Sequence, residues 1–184
     1  MEKLNDYSGE FIPGLKFSDL SHEKAIQLLQ LYCQFYMALD GFWYLTIKDK
    51  FSNEEALASD LQVWERLSKY EIARITKLLN IDGNDIITLM KILQFTPWQQ
   101  QTQYTIDIKT PHSAVMTVTS CRTLEALEKE GKGREKDVCQ TADPHILQSY
   151  ASLVNPKIRV KYLKIPPRIT RDDICCQWEF ILKE

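Results

Sequence analysis

No run of about 18 apolar residues occurs in this sequence, so no segment is suited to cross a bilayer as a helix and no membrane is expected as a partner. A surplus of base is also missing. The 23 Lys and Arg are matched by 25 Asp and Glu scattered along the chain, giving a net charge of −2, and no region offers the positive field that DNA or RNA binding requires. Neither C-x-x-C nor H-x-x-x-H occurs, which excludes the common zinc-finger spacings. The opening "MEKLNDYSGEFIPGLKFSDL" lacks the apolar stretch of a signal peptide and the basic character of a transit peptide, so a cytoplasmic protein is expected. Its five cysteines, Cys33, Cys121, Cys139, Cys175 and Cys176, are then expected as reduced thiols.

With 44% hydrophobic residues and 26% charged, the composition is that of a folding chain, and 184 residues suit one domain of ordinary size. Residues 1–20 read as an extended arm, followed by one α+β domain over 21–184, with a helical part at 21–96 and a sheet part at 101–184. Ser21 reads as an N-cap. Apolar residues Ile26, Leu29, Tyr32, Cys33, Tyr36, Met37 and Leu39 then recur at helical spacing, with an end or bend expected at Asp40-Gly41. "SNEE" at 52–55 has the form of a capping box and opens a second helix with the stripe Leu57, Leu61, Trp64, Leu67, Ile72, Ile75 and Leu79. A third helix runs roughly from Asp85 to Phe95, stopped by Pro97.

From Gln103 the period changes from helical to alternating. "QYTIDIK" and "AVMTVTSC" around "TPHS" predict an antiparallel hairpin, and "KIRVKYLKI" and "DICCQWEFIL" predict two more strands. Between them, "RTLEALEKEG" and "DPHILQSYASLVNP" read as helices, the second with Asp143 as cap and Pro144 at its first position. "EKEGKGREK" reads as a mobile surface linker. The expected fold is α+β: three N-terminal helices packed with a mostly antiparallel four-stranded sheet in the order ββααββ.

Strand alternation places Cys176 with Trp178 and Phe180 on the buried face and Cys175 on the more polar one, where it is incidental. Cys121 ends a strand and Cys139 precedes a helix, so Cys121, Cys139 and Cys176 are expected at one sheet edge. There they could serve a thiol-dependent hydrolase or bind zinc, with His112 or His145 as further ligands. Equally, they are three unconnected core residues, since cysteine packs as a small hydrophobe. Cys33 falls in a helical stripe and reads as core. Cys139 with His145 and Asp143 has the residue types of a nucleophile, a base and its orienter, but a first-turn His145 argues against that geometry. Phe35, Tyr36, Phe42, Trp43, Tyr44 and Trp64 crowd the first two helices, mostly as core. Some could line a small-molecule pocket with Trp178, where Arg74, Arg122 or Arg168 would contact a carboxylate or phosphate.

Taken together, "MEKLNDYSGEF", "ALDGFWYLTIKDKF", "VWERLSKYEIARI", "CRTLEALEKEG", "NPKI", "LKIPPR" and "CCQWEF" resemble a family of bacterial and archaeal "cytosolic proteins" of unknown function over the whole chain. The cysteine arrangement and the C-x-W/F-x-F strand are distantly similar to aminothiazoline-carboxylate hydrolase-like and 4-vinyl-reductase-type domains. The near resemblance implies Cys121, Cys139 and Cys176 as motif positions, together with Trp43, Trp64, Arg74, Arg122, Pro166, Pro167, Arg168 and Trp178. The distant one implies small-molecule binding, although "TRDDI" stands where those domains carry a glycine. Three functions are therefore expected: a protein binding a small molecule between helices and sheet, a thiol or metal hydrolase, and an interaction protein whose helical pair forms a homodimer.

Overall fold

The computed structural model describes residues 3–183; residues 1, 2 and 184, at the ends of the expected arm and domain, lie outside the described residues. The arm returns on itself: Leu4 bridges Leu20, and a 3-10 turn spans Phe17–Asp19. Helix α1 (His22–Lys50) starts at Ser21, whose hydroxyl accepts from the Lys24 amide at 3.3 Å. It passes through Asp40-Gly41 without a break, because no positive φ is required of Gly41 and helical backbone bonds continue on both sides. Helix α2 (Asn53–Leu79) is capped by Ser52, which accepts from the Glu55 amide at 3.1 Å, and ends in left-handed Asn80. Helix α3 (Ile86–Leu93) is capped by Asp85, which accepts from the Thr88 amide at 2.8 Å.

Strands β1 (Thr102–Thr110), β2 (Ser113–Cys121), β3 (Ile158–Lys164) and β4 (Cys176–Leu182) form one antiparallel sheet in the order β1-β2-β4-β3. The fold is therefore α+β, with helices mostly N-terminal and strands following. Between β2 and β3 lie α4 (Arg122–Glu130), the short α5 (Glu135–Asp137), a π-helical turn (Val138–Ala142) and α6 (Asp143–Val154). Helix α6 packs against β3 and α2 packs on α6, with a Ser68 to Ser149 hydroxyl contact of 3.0 Å where they cross. The main core joins Ile86, Leu89 and Leu93 of α3 to Tyr150 and Ala151 of α6, over Met116, Ile158, Trp178 and Phe180 of the sheet.

Three expectations are corrected. Asp143 is not a cap, because the π turn runs directly into α6 and Asp143 already has helical backbone. The stretch after Gly131 is not a plain surface linker: Arg134 pairs with Glu130 at 3.2 Å and lies over the Tyr44 ring, 5.0 Å from its centroid. The helical stripes also turn differently from the apolar pattern. On α2 the buried residues are Ala56, Asp60, Trp64, Ser68 and Glu71, while Leu79 is exposed. On α1 only Cys33 and Tyr44 are buried, and Ile26, Leu29, Tyr32, Phe35, Leu39, Phe42 and Trp43 face outward.

Candidate functional site

Strand pairing sets Met116 opposite Trp178 and Val118 opposite Cys176, so one end of the buried sheet face carries a wide indole beside small side chains. Over that end lies a cavity of about 130 Å³. Its sheet side is Met116, Val118, Cys121, Cys176 and Trp178, and its end walls are Thr123 of α4 with Val138, Cys139 and Ala142 of the π turn. Met37 and Asp40 of α1, Asp60 and Trp64 of α2, and Asp143, Ile146 and Leu147 of α6 close it from the helical side. Trp98, Gln99 and Thr102, at the turn leading into β1, complete the lining. Cys139 and Asp143, four residues apart across the junction of the π turn and α6, share one wall of the cavity.

Cys121, Cys139 and Cys176 all border this cavity, as do Trp64 and Trp178. Burial pushes the Cys121 thiol up to about 11 and raises Cys139 and Cys176 further, with the Asp143 charge acting in the same direction. Neutral thiols are poor nucleophiles, since the thiolate is the reactive form. The trio does not fit the zinc expected of it: among the described residues no three His, Cys, Asp or Glu side chains are grouped as an ion would need. His145 and His112 are exposed, and the partner of Cys139 is Asp143 instead: the thiol hydrogen-bonds to that carboxyl.

Cys175 departs from the expected polar placement. The strand begins only at Cys176, the chain bends at Cys175, and its amide donates to the Val118 carbonyl at 2.8 Å. Its side chain, 1% exposed, packs with Val118, Leu124 and Cys139, so strand alternation does not separate the doublet into a buried and an exposed thiol. The expected ligand-binding arginines are elsewhere. Arg168 pairs with Glu128 through Nε at 2.8 Å and Nη2 at 2.6 Å, and Nη1 lies 3.7 Å from Cys175 Sγ. Arg74 lies over the Tyr70 ring on the surface, Arg122 is exposed, and Trp43 is partly exposed on α1; none borders the cavity.

Trp98, one of the aromatics expected to add bulk from the sheet half, lines the cavity, whereas the polar lining residues Asp40, Asp60 and Gln99 were not singled out from the sequence. Asp40 and Asp60 are neighbours beside Trp64. Burial first, and for Asp60 the neighbouring Asp40 charge second, hold both carboxyls above the ordinary carboxylate range. Burial likewise raises Asp143 to about 7, opposed by its bond from Cys139. Gln99 is fully buried, and neither its Oε1 nor its Nε2 has a hydrogen-bond partner in the protein. A signal for Asp60 did exist, since it is spaced i, i+4 between Ala56 and Trp64. Nothing local marks Gln99, one glutamine in "QQQ".

Behind the cavity a second polar group is fully paired. Glu71 accepts from the Tyr36 hydroxyl at 2.6 Å and from the Tyr150 hydroxyl, and Trp98 Nε1 donates to Tyr150 at 3.3 Å. This network fixes the Trp98 indole beside the cavity.

Fold and site together define an α+β protein in which a helical pair and a π-turned helix close a pocket over one end of an antiparallel sheet. The chain belongs to DUF6125, a family of unknown function whose model matches residues 18–182. No curated protein and no solved structure matches the chain. The family match agrees with the resemblance to a family of unknown function and does not extend to the aminothiazoline-carboxylate hydrolase-like or 4-vinyl-reductase-type domains. Among the described residues, no helix is long and apolar enough to cross a membrane.

Proposed function

We propose that the protein binds a small molecule in the cavity bounded by α1, α2, α6 and the sheet. The observation that carries this reading is Gln99. Leaving a buried amide without partners costs about 1–3 kcal/mol per group, and a ligand offering a donor and an acceptor would recover it. The size of the space limits the ligand, because a cavity of about 150 Å³ accommodates a benzene ring. Binding of an apolar body with a few polar atoms is favoured over thiol catalysis, since burial keeps all three lining thiols neutral. The test is saturation-transfer NMR with a fragment set of about six to eight heavy atoms. Hits that are weakened or lost in Gln99→Leu are expected, and hits indifferent to that substitution would sink the reading.

A second reading, homodimerisation, is favoured by the outer face of α1. Leu29, Tyr32, Phe35, Leu39 and Phe42 are exposed at spacings of three and four, the pattern of a helix seam, and Leu39 and Phe42 are 70% and 68% exposed. A second copy of the same helix, laid antiparallel, complements that seam. Light scattering is expected to report a dimer that Leu39→Glu with Phe42→Glu converts to monomer. A wild-type monomer at every concentration would exclude it.

A further inference from the structure

The ligand's charge can be read from what borders the cavity. Its ionisable lining consists of carboxyls and thiols: Asp40 from α1, Asp60 from α2, Asp143 from α6, and Cys121, Cys139 and Cys176 from the strands and the π turn. No Lys, Arg or His borders it. A carboxylate or phosphate ligand would therefore meet like charge with no counter-ion, in a low-dielectric site where that repulsion is poorly screened. Three of the chain's four tryptophans, Trp64, Trp98 and Trp178, supply the aromatic wall, and indole faces attract cations. Trp64 joins the two features, because it borders the cavity beside Asp40 and Asp60. Independently of the acids, the fully buried Gln99 amide presents an unused oxygen acceptor at the same cavity.

We infer that the cavity binds a small organic cation, a protonated amine or amidine on a compact hydrocarbon body, with Asp40 and Asp60 as counter-ion, Gln99 Oε1 as a further acceptor and tryptophan rings as walls. The inference rests on the reading of the cavity as a ligand site and adds the chemical class. A cation beside Asp40 and Asp60 favours their charged forms, so binding near neutrality releases protons from these raised carboxyls, and Asp143 responds in the same direction.

The test uses three molecules of one shape, cyclopentylamine, cyclopentanol and cyclopentanecarboxylate, titrated calorimetrically into the full chain at pH 7. The amine is expected to bind at least tenfold tighter than the alcohol, and the carboxylate more weakly than either. The heat of amine binding should differ between phosphate and Tris buffers, reporting the released proton. Asp60→Asn, with Asp40→Asn made in parallel in case one variant fails to fold, should remove the amine's tenfold advantage while leaving alcohol binding within twofold. Equal binding of amine and alcohol, or an advantage that survives in both variants, would overturn the cation assignment and leave the pocket standing. Binding of none of the three would overturn the pocket reading along with it.

Discussion

The two ends of the buried sheet face are built from the same strands and behave oppositely. At one end Ala114, Ile158 and Phe180 meet Ile86, Leu89, Leu93, Tyr150 and Ala151, all without measurable exposure, and the space is filled. At the other, Val118, Cys121, Cys139, Ala142 and Cys176 present small side chains, and a cavity remains. Polar groups follow the same division. Glu71, near the filled end, receives two tyrosine hydroxyls, whereas Gln99 at the cavity receives nothing. A close-packed interior tolerates neither voids nor orphaned amides without cost, so their coincidence in one place is what supports the proposed ligand site. The cysteines gain a plain role here: they are small, apolar walls.

The largest expected break in this contrast is Phe180→Ala at the filled end. It should lower unfolding free energy by about 3–5 kcal/mol, read from urea denaturation, because the whole aromatic volume is lost from a site with no free space.

Next is pH. Asp40, Asp60 and Asp143 have folded pKa values raised above their ordinary value of 3.8, Asp143 to about 7, so the folded state binds more protons than the unfolded state between about pH 4 and 7. Stability should therefore fall as pH rises through that window, because each proton bound in excess by the folded state is worth about 1.4 kcal/mol per pH unit. Asp60→Asn should flatten the profile measured by thermal unfolding between pH 5 and pH 7.5, and an unchanged slope would contradict the placement of that carboxyl.

The smallest effect is the most discriminating. Ala151 and Ala142 are both helical and both almost fully buried, one in the filled end and one at the cavity. Ala151→Val should cost about 1–3 kcal/mol by overpacking, while Ala142→Val should stay within about 1 kcal/mol because its added methyls enter free space. Equal costs would mean that the cavity end is as tightly packed as the rest.

Much of this architecture was legible in the chain. Ser21, Ser52 and the alternation around "TPHS" placed two helix starts and the hairpin, because caps and period-two patterning act over a few residues. Strand ends and faces left two readings of Cys121, Cys139 and Cys176 open, one sheet edge or three unconnected core residues, and all three border one cavity. The rest depended on partners distant in sequence. Apolar periodicity chose Leu57, Leu61, Trp64 and Leu67 for the buried side of α2, yet beside Trp64 the buried positions are Ala56, Asp60, Ser68 and Glu71, and α6 brings Ser149 to Ser68 and Tyr150 to Glu71. Cys175 followed neither face, because alternation applies only where a strand is formed and the chain bends just before β4.

The sequence by itself determined the order of elements, the α+β class and the supply of small thiols and large indoles, all consequences of local spacing and side-chain volume. Tertiary structure alone decided that two aspartates on separate helices meet at one cavity, that Cys139 and Asp143 border it with them, and that one glutamine is sealed without a partner. The physical reason is that desolvation and charge coupling are properties of a place in the fold, and that place exists only once α1, α2 and α6 have closed over the sheet.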